Sequence, residues 1–447
     1  MGTKMAADDN ASKGRAVPSG RLSRLARFGS IATGVAGGMI AGGARELARG
    51  NRPTLGNLLL TPSNALRVTE QLAHLRGAAM KLGQLVSMDA GEMLPPELTD
   101  ILARLRADAQ PMPDRQLNAV LTAHWGREWR SRFETFTTRP IAAASIGQVH
   151  RARTRDGRDL AIKIQYPGVR TSINSDVNNV ATLLRLSNLL PPTIDITALL
   201  GEAKRQLHEE ADYTREGAYL ARFGALLADD AGYRVPAFHA DLSGTDVLAM
   251  DHVEGVPVES LIDAPQAERD RVVTLLIDLT LRELFVFGLM QTDPNFANYR
   301  YDRAGNRVVL LDFGATRTLP QDVADNYARL IRAGLAGDIA ATRAAAIAIG
   351  FFSEETARTH DAALTRILEM AVSMLTRDGP FDFARTDMAA ALRVEGRSIA
   401  QDRATWQLPP IDTLFLQRKI GGVALLASRL KAQVDVRGLI ERYLPVA

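Results

Sequence analysis

Gln291-Thr-Asp-Pro-Asn-Phe-Ala-Asn298, the apolar run Val308-Val-Leu-Leu311 and then Asp312-Phe313-Gly314 hold the densest structural signal in the chain. They set an aspartate, an asparagine five residues later, and a second aspartate just behind a strand-like segment. Moving a phosphoryl group from a nucleoside triphosphate needs one carboxylate to orient or deprotonate the acceptor, plus oxygen ligands for Mg²⁺. Asp293, Asn298 and Asp312 offer those groups in the order that this chemistry uses. Each alone is weak, because Asp-Phe-Gly occurs by chance and Asp-Pro-Asn is an ordinary turn. Their joint order and separation argue against coincidence. Phe313 is expected in the core behind the metal ligand, and Gly314 at a sharp bend.

Upstream, Leu160-Ala-Ile-Lys163 ends an apolar strand on a lysine. In a protein kinase such a lysine holds the α and β phosphates and pairs with a helical glutamate. On its own the string reads as an edge strand with a solvated lysine. The following helical stretch supplies Glu209, Glu210, Asp212 and Glu216, with Asp212 and Glu216 one turn apart, so a buried Lys163 has partners within reach. Where a kinase carries a Gly-rich loop, this chain has Ala142-Ala143-Ala144-Ser145 before Ile146-Gly-Gln-Val149. Methyl groups restrict both close approach and backbone freedom, so this loop is expected to bind nucleotide differently.

Around that centre the 447 residues, 46% hydrophobic and 23% charged, suffice for one large two-lobed domain or two ordinary ones. The lack of cysteine excludes disulfides, thiolate zinc sites and cysteine nucleophiles. Net charge is +3, but Met1 to Arg52 holds nine Lys/Arg against three Asp/Glu, leaving the rest near −3. Residues 1–52 read as a basic arm. Within it Ser30 to Ala44 is apolar and Gly/Ala-rich, too short to span a bilayer, with Ser30, Gly34, Gly38 and Gly42 making a small-residue stripe. That suits a membrane-surface or helix-pairing element, or a Gly-rich flexible leader. Residues 62–135 read as a helical extension, 136–255 as a sheet-containing lobe with a hairpin turn at Arg155 to Arg158, and 256–447 as a helical lobe. One helix is expected from Ile196 to Leu227, with strand-like runs at Arg234 to His239 and Val247 to Val253. The expected fold is α+β and bilobal, kinase-like, with an N-terminal helical addition. Within that addition Lys81 and Gln84 share a helix face beside Gly77, Ala78, Ala79 and Gly83, small residues that suit close packing.

With those residues assembled, the chain resembles the UbiB/AarF atypical kinase-like family, which includes the ADCK proteins associated with coenzyme Q biosynthesis. Lys81-Leu-Gly83-Gln84 matches its Lys-x-Gly-Gln signature, Ala142 to Ser145 its alanine-rich loop, and Glu210-Ala-Asp212 its Glu-x-Asp motif. The resemblance covers residue 62 to the C-terminus. It implies that Lys163 pairs with Glu216, that Asp293 is the catalytic-loop aspartate, and that Asn298 and Asp312 bind Mg²⁺. It also implies a lid carrying Lys81, Gly83 and Gln84 near Glu210 and Asp212, over the place a peptide substrate would take. Two departures stand out: Phe296-Ala297 replaces the family's Pro-Gly, and Gln291 stands where the family has His.

The function so implied is a Mg²⁺-dependent ATPase or small-molecule kinase, using ATP or ADP, that supports ubiquinone biosynthesis. Its expected place is the cytoplasm, peripheral at the inner membrane, with phenolic or isoprenoid lipids, an anionic membrane surface and quinone-biosynthesis enzymes as partners. A monomer and a homodimer both stay open. The alternatives are a nucleotide-switched scaffold and a true protein kinase. Against the latter, only Ala315 to Leu319 separates Gly314 from Pro320, too little for a peptide-docking segment closed by Ala-Pro-Glu. Aromatic residues are 6% and basic ones are scattered, so nucleic-acid binding is not expected. His150, His208, His239 and His252 show no metal-ligand spacing.

Overall fold

In the computed structural model, which describes residues 111–447 except 145, 187–196, 294, 385–393, 397–398, 400–401, 403–409 and 446–447, the first element is α1 (Asp114–Trp125). Leu117, Leu121 and Trp125 recur every fourth residue and bury one face, while Pro113 opens the helix and Gly126, at φ 85°, ends it. There follow β1 (Phe133–Phe136), β2 (Ala142–Ala143), β3 (Gly147–Thr154) and β4 (Asp159–Gln165), then α2 (Val169–Leu186), α3 (Thr197–Glu210) and α4 (Tyr213–Leu226). β5 (Tyr233–Arg234), β6 (Val247–Asp251) and β7 (Val256–Pro257) precede α5 (Gln266–Arg282). Next come β8 (Leu289–Gln291), β9 (Tyr299–Asp302), β10 (Arg307–Leu310) and β11 (Thr316–Thr318). The rest is helical: α6 (Gln321–Leu335), α7 (Ile339–Ile349), α8 (Glu354–Thr359), α9 (Asp361–Thr376), α10 (Ile411–Leu430) and α11 (Val436–Glu441), with the short strands β12 (Phe381–Asp382) and β13 (Gln433–Val434) between.

Two units hold these elements. The first runs to Thr214 and takes back His239–His252; the second holds Arg215–Phe238 and everything from Val253 onward. The first is built on an antiparallel sheet in the order β1-β3-β4-β6, with β2 paired to β3. In β3, His150, Ala152 and Thr154 turn inward while Arg151 and Arg153 face solvent, the two-residue period of a half-buried strand. β4 has neighbours on both sides and is buried from Leu160 through Gln165. The hairpin between them closes at residues 155–158, where Thr154 N–H donates to the Arg158 carbonyl at 3.0 Å and Gly157 takes φ 91°. Its core joins Trp125, Trp129 and Phe133 to Leu160, Ile162, Ile164, Val247 and Ala249.

The expected single helix from Ile196 to Leu227 is two helices, α3 and α4, broken at Ala211–Asp212. Asp212 caps α4 by accepting from Thr214 N–H at 3.0 Å, a role that competes with continuing a helix. Gln165 Nε2 donates to the freed Ala211 carbonyl at 2.7 Å, and Tyr213 N–H to the Thr245 carbonyl at 3.2 Å, so the break is satisfied by the sheet. α2 was not anticipated, although Ile173, Val177 and Ala181 give a buried four-residue period. The run Arg234 to His239 forms strand only at Tyr233–Arg234, because Pro236 cannot donate to a ladder.

In the second unit β5-β10-β9-β7 form one small sheet, and β8 pairs with β11 in a two-stranded ribbon. α5 runs into a π-helical turn, Glu283–Phe287, closed by Gly288 at φ 59°. Leu284, Met290, Leu319, Tyr327, Ile349 and Leu416 join in a core cluster beneath these strands.

Candidate active site

Of the upstream residues, Ala142 to Ala144, Lys163, Glu210 and Asp212 belong to the first unit, and Glu216 to the second. Lys163 sits on β4 opposite Val149 on one side and Leu248 on the other, and is only 7% exposed. It is therefore not the solvated lysine of an edge strand. Its ammonium lies 5.0 Å from the centroid of the Tyr213 ring, close enough for a cation–π attraction. Tyr213 opens α4, the helix whose first turn carries the buried Glu216. Gly147 is required here, since a Cβ would collide with the Ile164 carbonyl oxygen and the Tyr213 hydroxyl. The alanine-rich loop forms a tight hairpin: Ala142 and Ala143 pair with Val149 and Gln148, and Ala144 N–H donates to the Gly147 carbonyl at 2.9 Å. Glu210 is buried at the end of α3, and Asp212 marks the helix break.

In the second unit Asp293, Asn298 and Asp312 lie on one folded segment. β8 leads into the loop holding Asp293; Asn298 ends a 3₁₀ turn just before β9; the β9–β10 hairpin returns the chain to Asp312; and β11 pairs back onto β8. Leu311 N–H donates to the Asn298 carbonyl at 3.0 Å, stitching the two ends together. Asp293 accepts from Asn295 N–H at 3.2 Å, and Asn295 caps the turn through Ala297 N–H at 3.1 Å. Asn298 is buried, and its Nδ2 finds no hydrogen-bond partner among the described residues. Asp312 accepts from Gly314 N–H at 3.0 Å, while Phe313 is buried against Phe223 of α4 at a ring separation of 4.9 Å.

Two features escaped the sequence. Arg215 of α4 donates to the Gly314 carbonyl at 2.9 Å and also to the Thr316 carbonyl, and stacks 4.8 Å from the centroid of Tyr219. Beneath the loop lies a buried ion pair between Lys419 of α10 and Glu283, at 3.1 Å. Lys419 also donates to the Gln291 carbonyl at 3.1 Å and the Tyr299 hydroxyl at 2.8 Å, and Glu283 accepts from Gln291 N–H at 3.3 Å. Burial works against the Lys419 charge, but Glu283 and Tyr299 outweigh it and hold the ammonium above its usual range. Burial likewise pushes the Glu283 carboxyl and the Tyr299 phenol up, with Lys419 opposing both shifts. The helical period of α10 marks its core face, but no local motif singles out Lys419.

A family profile described as "ABC1 atypical kinase-like domain" matches residues 104–346. "Atypical kinase COQ8, mitochondrial" of Saccharomyces cerevisiae is 36% identical over 431 residues, covering 96% of this chain and 86% of that protein. The chain belongs to this atypical kinase-like family. "Atypical kinase coq-8, mitochondrial" of Caenorhabditis elegans is also 36% identical, over 435 residues; the match covers 95% of this chain and 57% of that protein. Among solved structures, that of Rv3197 with erythromycin from Mycobacterium tuberculosis aligns with a TM-score of 0.62 at 27% identity, over 86% of this chain and 96% of the other. The bilobal, kinase-like α+β fold expected from the motifs is thereby shown. Lys81, Gly83, Gln84 and Ser145, with the arm and most of the helical extension, lie outside the described residues. The family's Pro-Gly is replaced without a backbone penalty, for neither Phe296 nor Ala297 takes a positive φ. Gln291, in place of His, is buried and accepts from the Tyr299 hydroxyl at 3.4 Å.

Proposed function

We propose that this protein binds ATP or ADP with Mg²⁺ and turns ATP over, as an ATPase or small-molecule kinase supporting ubiquinone biosynthesis at a membrane surface. The observation that carries this reading is the continuous segment that brings Asp293, Asn298 and Asp312 onto one scaffold, closed by the Leu311–Asn298 bond. Asp293, half-exposed in its loop, is the group to orient or deprotonate the acceptor. Asn298 and Asp312 are hard oxygen donors, and the orphaned side-chain amide of buried Asn298 fits a residue built to meet a ligand. Amide oxygen and nitrogen exchange by a flip of the side chain, so either atom can face that ligand. Among the described residues no group of three or more His, Cys, Asp or Glu could hold a metal alone. That suits Mg²⁺, which commonly takes one or two protein oxygens and completes its shell with water and phosphate. When bound, Mg²⁺ supplies charge neutralisation at the transferring phosphoryl group.

Lys163 is assigned to the α and β phosphates, with Glu216 as its partner. Ala142, Ala143, Ala144 and Ser145 are assigned to nucleotide binding; the Ala144 amide is already spent on Gly147 and is not available to wrap a phosphate. Lys81, Gly83 and Gln84, with Glu210 and Asp212, are assigned to a regulatory lid. The quinone context rests on the resemblance to proteins associated with coenzyme Q biosynthesis and on the mitochondrial relatives. Among the described residues no helix is long and apolar enough to cross a membrane. Attachment is accordingly proposed to be peripheral, through the basic arm, with phenolic or isoprenoid lipid and quinone-biosynthesis enzymes as partners.

A protein-kinase reading is disfavoured by one local feature. β11 pairs with β8 within two residues of Gly314, and α6 begins straight after Pro320, leaving no peptide-docking segment between them. Purified protein with Mg-ATP, with and without anionic liposomes carrying a phenolic lipid, separates the possibilities. Phosphate release stimulated by the liposomes is expected. Stoichiometric phosphoprotein would mean a protein kinase, and tight nucleotide binding without turnover would mean a nucleotide-switched scaffold.

A further inference from the structure

Lys419 donates hydrogen bonds to the Gln291 carbonyl at 3.1 Å and the Tyr299 hydroxyl at 2.8 Å, and its ammonium forms an ion pair with a Glu283 carboxylate oxygen at 3.1 Å. Gln291 is the last residue of β8 and Tyr299 the first of β9, so both ends of the loop holding Asp293 and Asn298 are tied to one side chain. Gln291 is gripped on both backbone groups, its carbonyl by Lys419 and its N–H by Glu283 at 3.3 Å. Lys419 and Glu283 are 2% and 0% exposed. Stability alone does not call for such a pair, since apolar residues of like volume commonly replace buried ion pairs without loss. The pair's bonds are spent on loop anchors, which is what a positioning device requires.

We propose that α10 is part of the catalytic apparatus: Lys419, with Glu283, is a positioning pair that clamps residues 291 and 299 and so fixes the spacing of Asp293 and Asn298. The proposal rests on the reading of those two residues as nucleotide-site groups. It extends the functional unit beyond the span shared with the family profile, which ends at residue 346.

The test uses the full chain and two variants. Lys419→Met/Glu283→Gln removes both charges together, leaving no unpaired buried ion. Tyr299→Phe deletes one oxygen of the clamp and keeps the packing. Each is measured for melting temperature, for amide hydrogen exchange at residues 292–298, and for kcat and KM with Mg-ATP. The double variant is expected to exchange those amides about tenfold faster or more. Its kcat should fall by about tenfold or more with KM changed less than about threefold, because misplacement of reacting groups acts on the chemical step. Tyr299→Phe should show the same pattern to a smaller degree. Loop exchange and kcat within about twofold of wild type, in whichever variant keeps the wild-type melting temperature, would overturn the clamp. A wild type that turns over no ATP would instead strike at the enzymatic reading, and the exchange measurement would still decide the clamp.

Discussion

At Asp312 one carboxylate oxygen takes the Gly314 amide at 3.0 Å, a bond that an asparagine oxygen can also accept. Asp312→Asn should therefore keep the bend and remove only the negative charge. Adding Mg-ADP is expected to raise the melting temperature of the wild type and to leave this variant unchanged; equal shifts would remove Asp312 from the metal site. His150 makes a different kind of prediction. It is fully buried, with Nδ1 2.8 Å from the Thr137 carbonyl and Nε2 2.8 Å from Gln148 Nε2. The Gln148 oxygen already accepts from Met112 N–H at 2.8 Å, so its amide donates to His150 and Nδ1–H donates to Thr137. Burial lowers the His150 pKa, with the Thr137 bond opposing the shift. In acid the unfolded chain thus binds a proton that the folded chain refuses. Stability should be full above about pH 6.5 and decline as the pH falls from there toward the lowered folded value. Melting temperatures between pH 7.5 and 5 should drop more steeply for wild type than for His150→Gln, and parallel curves would contradict this.

At the scale of elements, α4 is the piece that meets the Asp312-Phe313-Gly314 turn. Arg215 holds two carbonyls of the Gly314–Thr316 turn, and Phe223 seats Phe313. Hydrogen bonds to a charged group contribute roughly 1.5–3 kcal/mol each. Arg215→Ala should lower stability by about that much and cut turnover by about tenfold, with Arg215→Lys falling between. Wild-type turnover in Arg215→Ala would show that the turn holds its shape without α4. The same elements show what a sequence can reveal. That Asp293, Asn298 and Asp312 share one segment and that Lys163 lies on a strand was legible from short-range spacing, although the strand expected to end at Lys163 runs on to Gln165. The α3–α4 break was partly legible in Asp212, a good helix cap, but its other half is Gln165 reaching across from β4. The clamp was not legible at all: Lys419 meets Gln291 across 128 residues, and nothing near either one encodes the meeting. Such contacts are written in the packing of α10, whose buried Phe415, Leu416, Leu426 and Leu430 set where Lys419 lands.

For the molecule as a whole, the consequence is that the family span is not expected to stand alone. A fragment of residues 104–346 lacks Leu416 and Ile349 from the second unit's core and removes Lys419, the partner of Glu283. Removing one partner of a buried pair costs about 3–5 kcal/mol, a large share of a typical domain's stability. The fragment is expected to lose cooperative melting and sharp near-ultraviolet dichroism while the full chain keeps both, and a cooperatively folded fragment would contradict the packing described. The central claim, that Asp293, Asn298 and Asp312 form a working phosphoryl-transfer centre, meets its most direct test in Mg²⁺-dependent phosphate release from ATP by the purified full chain and by Asp293→Asn. Turnover in the wild type that falls by about a hundredfold or more in Asp293→Asn, with nucleotide binding retained, is the predicted result. Equal release by both proteins, or none by either, would contradict it.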